Sequence, residues 1–243
     1  MTTSREVNRI AHRLAAYRTT DDYMKKLLQN AVTLSFRKEP VLITGATGTG
    51  KEIVANLLHG TQLGDIVTVN TTAVSDTLFE SELFGHLKGS FTGAFRDRKG
   101  LVDAAKSGTL FLDEIGDMPI GLQAKILRLI QFGTYRIIGD NKTQETNCRI
   151  VAATCKPIDK LIADGLFRDD LYYRLSTFHL HITPLAQRRH DAEHFFVTHP
   201  YWRKTLDEHR KKFLTYANTN PIKGNYRELE QLMLQYEVLK LLP

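Results

Sequence analysis

Apolar and β-branched runs of four to six residues recur along the chain, separated by stretches in which apolar residues have helical spacing. The runs predict five strands, at 41–44, 66–70, 109–113, 149–154 and 178–182. Helical spacing predicts helices at 21–36, directly after residue 50, at 75–83 and at 120–132. Strands and helices in alternation are typical of a parallel sheet covered on both faces. The pattern therefore predicts a three-layer α/β sandwich.

The strand pattern ends near Pro184, and the remaining sequence is helical in pattern. This change predicts an α/β domain over 21–187, followed by a small α-helical lid domain over 188–243. Residues 1–20 are predicted to form an amphipathic N-terminal helix or a tail.

The first predicted strand runs into a glycine-rich turn and a lysine. The order is Gly45, Ala46, Thr47, Gly48, Thr49, Gly50, Lys51 and Glu52. Glycines let successive backbone N–H groups point inward, and the following helix dipole adds positive charge, so the turn suits a polyphosphate. The pattern predicts a nucleotide site, although Glu52 stands where the general phosphate-loop pattern has Ser or Thr. A glycine-rich turn without a ligand is the alternative.

Two adjacent acids, Asp113 and Glu114, end the third predicted strand. Nucleotides bind at the carboxyl edge of open α/β sheets, where both acids are expected to lie. We predict that Asp113 holds Mg²⁺ and that Glu114 orients and deprotonates the attacking water. Two solvated acids at the end of a strand are the alternative.

The composition indicates a globular protein of a reducing compartment without a membrane span. The 243 residues include 42% hydrophobic residues, and the net charge of +6 is too diffuse to name a partner. Two cysteines do not make a disulfide framework and fit a reducing compartment, so we expect a cytoplasmic protein. Because no apolar run reaches 18 residues, the sequence predicts no membrane span.

The segment 80–95 combines aromatic and small residues and contains the run GSFTGA at 89–94. This segment resembles the signature of bacterial enhancer-binding proteins, the AAA+ ATPases that activate transcription by sigma-54 RNA polymerase. Their fold implies an AAA+ sandwich with a contact loop near 86–97, and the partner-binding residues are then Phe91, Thr92 and Gly93. Small residues allow a sharp tip that exposes the aromatic ring and the hydroxyl. The alternative is a loop whose Phe91 packs into its own domain.

The resemblance covers about 39–191 and assigns further residues. It implies that Asn70 holds the catalytic glutamate in a nucleotide-dependent switch and that Thr154 is the first sensor. Arg168 and Arg174 match a pair of arginine fingers, which reach the phosphates of a neighbouring subunit. An ordinary surface helix with Arg–Asp pairs is the alternative for these two. Arg227 matches the second sensor.

The segment 133–145 matches a second surface loop that moves with the first. The chain also departs from the family, which usually has Glu at Ala46, Ala at Ser90 and Asn at Cys155. The segments 185–188 and 222–223 differ as well, which bears on the packing of the lid.

Histidines suggest a competing chemistry. The segment 190–194 satisfies H-x-x-E-H, a metalloprotease pattern, and His179 and His181 lie on one face of a predicted strand. We interpret these histidines as surface or interface residues, because the segment aligns with the start of the lid.

The resemblance implies an ATPase with the cofactors ATP and Mg²⁺. Its partners are then the sigma-54 RNA polymerase holoenzyme and further copies of the chain in a ring, which we expect to be a hexamer. The chain has no matching helix-turn-helix, so we predict no direct sequence-specific DNA binding. Two alternatives are a non-hydrolysing adaptor that binds polymerase and an AAA+ DNA-remodelling or loader ATPase.

Overall fold

The computed structural model describes residues 19–60, 64–72, 76–198, 211–212, 214–216 and 219–239. Most of the predicted N-terminal helix or tail (1–20) lies outside the described residues. The same is true of 199–210 and of a few shorter segments in the predicted lid.

Nine strands lie in the described residues. They are β1 (Val41–Gly45), β2 (Ile66–Asn70), β3 (Gly85–His86), β4 (Arg98–Lys99), β5 (Thr109–Asp113), β6 (Thr134–Arg136), β7 (Thr143–Glu145), β8 (Arg149–Thr154) and β9 (Phe178–Ile182). The five long strands are the five that the sequence predicts.

Helices account for most of the rest. They are α1 (Asp22–Leu34), α2 (Lys51–His59), α3 (Asp76–Phe84), α4 (Leu101–Ala104), α5 (Ile120–Phe132), α6 (Ile158–Ala163), α7 (Asp169–Leu175), α8 (Arg189–Thr198) and α9 (Asn225–Leu239). Short 3₁₀ turns lie at Ile115–Asp117 and Leu185–Gln187. No helix among the described residues is long and apolar enough to cross a bilayer.

The five long strands form one parallel sheet in the order β2, β5, β8, β1, β9. In this register Thr44 lies beside Thr154, and Asn70 lies beside Asp113. The strand order places the end of β1 next to the end of β8. The carboxyl edge therefore gathers the glycine-rich turn, the two acids and the predicted first sensor.

Side chains alternate between the two faces of the sheet. Leu42 and Ala152 pack in the core under α5 and α7, whereas Ile43, Phe111 and Val151 pack in the core under α1 and α2. Because successive residues of a strand point to opposite faces, each buried strand feeds both cores. The predicted three-layer sandwich is confirmed.

The two predicted surface loops are hairpins joined to each other. Leu87 N–H donates to Ile138 O (2.9 Å), and Ile138 N–H donates to Gly85 O (3.0 Å). A Cβ atom on Gly139 would lie 2.7 Å from Ser90 Cβ, so the loops also touch through a position where only glycine fits. The two loops are therefore in contact, and their concerted movement stays a prediction.

The described part of 188–239 is helical. A third apolar cluster joins the 3₁₀ turn at Leu185 to α8 and α9 through Ala192, Leu229 and Met233. A small core of this kind fits the predicted lid, whose exact bounds stay a prediction.

Candidate functional site

Lys51 lies at the centre of the carboxyl edge. Its side chain is only 7% exposed. The ammonium group donates to Gly45 O (3.0 Å) and Ala46 O (3.4 Å), and it lies 3.4 Å from Glu114 Oε1. A buried ammonium group needs hydrogen-bond acceptors and a counter-charge, and here the two loop carbonyls and the Glu114 carboxylate supply them.

Glu114 is held in a defined position beside the loop. Its backbone has a φ of 55°, which is rare for a residue with a side chain and is typical of functional sites. Its Oε2 accepts from the backbone N–H of Cys155 (2.9 Å). Burial acts to raise the pKa of Glu114, but the Cys155 N–H and the charge of Lys51 outweigh it, so the pKa lies below its ordinary value. Glu114 is therefore ionised at neutral pH.

Asp113 has the opposite shift. Burial, and after it the charge of Glu114, raise the pKa of Asp113 above its ordinary value. Its Oδ1 accepts from the N–H of Glu114 (3.1 Å). Adjacent carboxylates of this kind suit a hard divalent cation, whose charge would favour ionisation of both groups. The donor set therefore fits the predicted Mg²⁺.

The start of α9 sits directly on the glycine-rich turn. Asn225 Nδ2 donates to Thr47 O (2.9 Å), and Tyr226 N–H donates to Gly48 O (3.0 Å). Gly48 has a φ of 75°, and a Cβ atom there would lie 2.2 Å from Gly224 O and 3.1 Å from Arg227 Cβ. Arg227 thus lies beside the turn, where a second sensor is expected.

Thr154 lies against the Glu114 carboxylate, whereas Asn70 makes hydrogen bonds with Thr72. Thr154 is buried, and its hydroxyl lies 3.5 Å from Glu114 Oε2. Asn70 Oδ1 instead accepts from the N–H (3.0 Å) and the hydroxyl (2.6 Å) of Thr72. Among the described residues, no hydrogen bond joins Asn70 to the Glu114 carboxylate, so the switch role of Asn70 stays a prediction.

The predicted arginine fingers lie at the two ends of α7. The guanidinium of Arg168 is held by Asp170 through bonds of 3.0 and 2.7 Å, as the Arg–Asp alternative expects. Arg174 is exposed, and no ion pair is described for it. Among the described residues, neither arginine forms a hydrogen bond or an ion pair with Lys51 or Glu114.

The GSFTGA segment forms a closed turn. Gly89 N–H donates to Ala94 O (2.8 Å), and Gly89 and Gly93 have φ of 80° and 103°. Thr92 is exposed, as expected. Phe91 is half-buried and lies edge-on to His86, with ring centroids 5.0 Å apart. The expectation of an exposed tip is thus met for Thr92 and only in part for Phe91.

Sequence reasoning missed several residues that shape the site. Gln123 is fully buried and donates to Met118 O (2.9 Å) and Leu166 O (3.0 Å), while it accepts from Arg168 N–H (2.8 Å). It fixes the segment that leads into α7. A polar residue inside the apolar pattern of α5 was the available signal. The backbone N–H of Cys155, which donates to Glu114, and the side-chain amide of Asn225, which donates to Thr47 O, leave no such signal in the sequence.

Comparisons with known proteins agree with this geometry. Residues 17–181 match the family model described as the sigma-54 interaction domain. The chain is 41% identical over 236 residues to the DNA-binding transcriptional regulator NtrC of Rhizobium meliloti, which covers 93% of the chain and 47% of that protein. It is 40% identical to the anaerobic nitric oxide reductase transcription regulator NorR of Aliivibrio fischeri, over 89% of the chain and 44% of that protein. The chain spans about half the length of these relatives.

Solved structures show the same architecture. The crystal structure of NtrX from Brucella abortus in complex with ATP aligns with a TM-score of 0.78 at 29% identity, over 97% of the chain and 55% of NtrX. The Hsp104:casein complex of S. cerevisiae aligns with a TM-score of 0.67 at 18% identity, over 99% of the chain and 48% of Hsp104, which shows the fold alone. The fold is the AAA+ α/β fold, and the chain belongs to the sigma-54 interaction domain family of transcriptional regulators.

Proposed function

We propose that this chain is an ATPase that uses Mg²⁺-dependent ATP hydrolysis in a ring to remodel the closed complex of sigma-54 RNA polymerase at a promoter. The ion pair between Lys51 and Glu114 at the carboxyl edge is the observation that carries the proposal. It places a buried cation and an ionised base beside a glycine-rich turn, as phosphoryl transfer to water requires.

ATP binding would exchange the partners of Lys51. The β- and γ-phosphates of ATP carry more negative charge than the Gly45 and Ala46 carbonyls, so they are the preferred partners of the ammonium group. Glu114 then loses its ion pair with Lys51 but keeps the N–H of Cys155 (2.9 Å). The freed, ionised carboxylate can accept a proton from the attacking water.

Asp113 is the residue that would hold Mg²⁺. When bound, the ion would neutralise charge on the phosphate oxygens. Glu52 occupies the position of the usual Ser or Thr ligand and is exposed in the first turn of α2. Asp113 is therefore the main protein ligand available for the ion.

A complete site needs a second subunit. Charge that develops on the transferred phosphoryl group is stabilised by an arginine in many NTPases. Arg174 is exposed and does not contact the acids of its own chain. A ring, which we expect to be a hexamer, would bring this arginine to the phosphates of the neighbour.

Movement would reach polymerase through the paired surface loops. The contact between Ser90 and Gly139 and the hydrogen bonds to Ile138 join the GSFTGA turn to the segment that follows α5. Since α5 follows Glu114 by only a 3₁₀ turn and two residues, a shift at the acids has a short path to Thr92.

The test is conversion of closed to open promoter complexes by sigma-54 polymerase with ATP. The wild-type chain should support conversion, whereas Lys51→Ala should abolish it by removing phosphate binding. Thr92→Ala should keep ATP hydrolysis and lose conversion. Conversion by Lys51→Ala at the wild-type rate would overturn the proposal, and loop-dependent binding of polymerase without phosphate release would favour the adaptor.

A further inference from the structure

Phe95 is the most exposed large apolar side chain in the described residues, at 86%. Its position follows from the turn before it. The bond between Gly89 N–H and Ala94 O closes the turn and buries Ala94, so the chain leaves the turn at Phe95. Phe95 N–H donates to Gly93 O (2.9 Å), which fixes the backbone there. The backbone at Phe95 is therefore held in place, and its ring is exposed to solvent.

The ring lines a groove of about 470 Å³ together with His86, Gly93, Arg96 and Arg98. His86 and Arg98 face each other across the β3–β4 pair. The imidazole is held by Ser81 Oγ (2.6 Å) and by the ring of Phe91, so this wall of the groove is ordered.

The cations of the groove are poorly neutralised by the chain itself. Arg98 Nη2 lies 4.0 Å from Glu82 Oε1, at the limit of ion pairing, and both side chains are about half exposed. No ion pair is described for the exposed Arg96. Asp97 lies between them in sequence, but its carboxylate accepts from the backbone N–H of Lys88 (2.7 Å), and no ion pair with either arginine is found in the described residues. The groove therefore presents guanidinium groups beside a bare aromatic face.

We propose that this groove binds a single-stranded nucleic acid, with a base stacked on Phe95 and phosphates paired with Arg96 and Arg98. Stacking on an aromatic ring together with cations along the backbone is how proteins hold single strands without reading sequence. Duplex DNA fits less well, because its bases are stacked on each other and cannot cover Phe95. An acidic peptide would satisfy the arginines but would leave the ring uncovered.

The proposal goes beyond polymerase remodelling and does not require ATP. It is also compatible with the predicted lack of sequence-specific DNA binding, because every base has a face that can stack.

The test is fluorescence anisotropy of a labelled oligothymidylate with the purified chain, without ATP. The same titration uses a duplex of equal length and a polyglutamate peptide. Phe95→Ala should weaken binding of the single strand about five- to a hundredfold, which is the usual effect of removing one stacking ring. Phe95→Trp should restore it. Phe36→Ala removes a half-exposed phenylalanine near the end of α1 and is the matched control.

Salt dependence tests the arginines separately. Each phosphate contact contributes about 0.7 to the slope of log affinity against log salt for a single strand. Arg96→Gln and Arg98→Gln should each lower the slope by about that amount, whereas Arg37→Gln should not.

Equal affinity of wild type and Phe95→Ala for the single strand would overturn the proposal. Tighter binding of polyglutamate or of the duplex would also overturn it. Because the titration contains no ATP, a failure to bind the oligonucleotide leaves the ATPase proposal standing. Conversely, a chain that binds the oligonucleotide but does not hydrolyse ATP would reject only the ATPase proposal.

Discussion

At the scale of single residues, the structure shows several polar groups that must be satisfied inside the protein. Arg149 is only 2% exposed and donates to the carbonyls of Leu58 and Leu34, the latter at 2.8 Å. Burial lowers the pKa of Arg149 to about 10, so the group stays charged at neutral pH. A cation at the carboxyl ends of α1 and α2 satisfies their last carbonyls and their dipoles.

Arg149→Met should therefore destabilise the fold by about 3 kcal/mol, because two helix ends lose a charged donor. Urea unfolding followed by circular dichroism measures this change. Arg136→Met, at an exposed arginine, is the control and should change the free energy of unfolding by less than about 0.5 kcal/mol. Equal stability of the two variants would contradict the stabilising role of the hydrogen bonds from Arg149 to the ends of α1 and α2.

Ser90 has a buried polar group that is not satisfied by a hydrogen bond in the part of the chain that the structure describes. Its hydroxyl is buried with no hydrogen-bond partner among the described residues, and it lies against Gly139. Ser90→Ala should raise the free energy of unfolding by about 1 kcal/mol, because a buried unsatisfied hydroxyl is removed. Thermal unfolding measures the change, and a loss of stability would show that the hydroxyl is satisfied.

At the scale of elements, the long strands were predictable and the short ones were not. Strands such as β8, buried on both faces, appear in the sequence as continuous apolar runs. The pairs β3–β4 and β6–β7 have two or three residues per strand, too few for any periodicity. The candidate site was likewise predictable in part. Lys51 and Glu114 were identified by motif and resemblance, but their ion pair and the exposure of Phe95 depend on tertiary contacts.

Gln123 links two elements, α5 and the segment before α7. Gln123→Leu would remove three hydrogen bonds of a fully buried side chain, and it would leave Leu166 O and Arg168 N–H without this partner. We expect a loss of about 2–4 kcal/mol in stability. The matched control is Gln131→Leu on the exposed side of α5, which should have little effect. Urea unfolding of both variants measures the change in stability. Equal midpoints would contradict the stabilising role of Gln123.

The segment before α1 is also attached to α8 through one carboxylate. Asp191 is fully buried and accepts from Thr19 Oγ1 (2.6 Å), Thr20 N–H (2.6 Å) and Arg188 Nη1 (2.7 Å). Burial acts to raise the pKa of Asp191, but these donors outweigh it, so the pKa lies below its ordinary value.

A depressed pKa in the folded state stabilises the protein above the unfolded pKa, and this stabilisation is lost as pH falls through the folded pKa. Wild-type stability should therefore decline below about pH 4 partly through Asp191. Asp191→Asn should lower the free energy of unfolding by about 3 kcal/mol at pH 7, because Arg188 loses its buried counter-charge. The difference between the two proteins should shrink on acidification. Urea unfolding from pH 3 to 7 measures it, with the exposed Asp164→Asn as control, and a pH-independent difference would contradict this mechanism.

At the scale of the whole molecule, the site that we propose for ATP hydrolysis is incomplete in one chain. Lys51, Asp113 and Glu114 meet at the carboxyl edge, whereas Arg174 is exposed on α7 and contacts none of them. A head-to-tail ring would place the arginine of each chain beside the acids of the next. We therefore expect the site to be shared between neighbouring subunits.

A mixture of two inactive variants distinguishes a site shared between subunits from a site that is complete in one chain. Glu114→Gln lacks the base, and Arg174→Ala lacks the trans-acting cation, so each alone should show little steady-state phosphate release. In an equal mixture, about a quarter of the subunit contacts join an intact Glu114 to an intact Arg174, so phosphate release should recover to about that fraction of wild type. If the mixture releases no more phosphate than the average of the two variants, or if Arg174→Ala alone hydrolyses ATP at the wild-type rate, the shared site is contradicted.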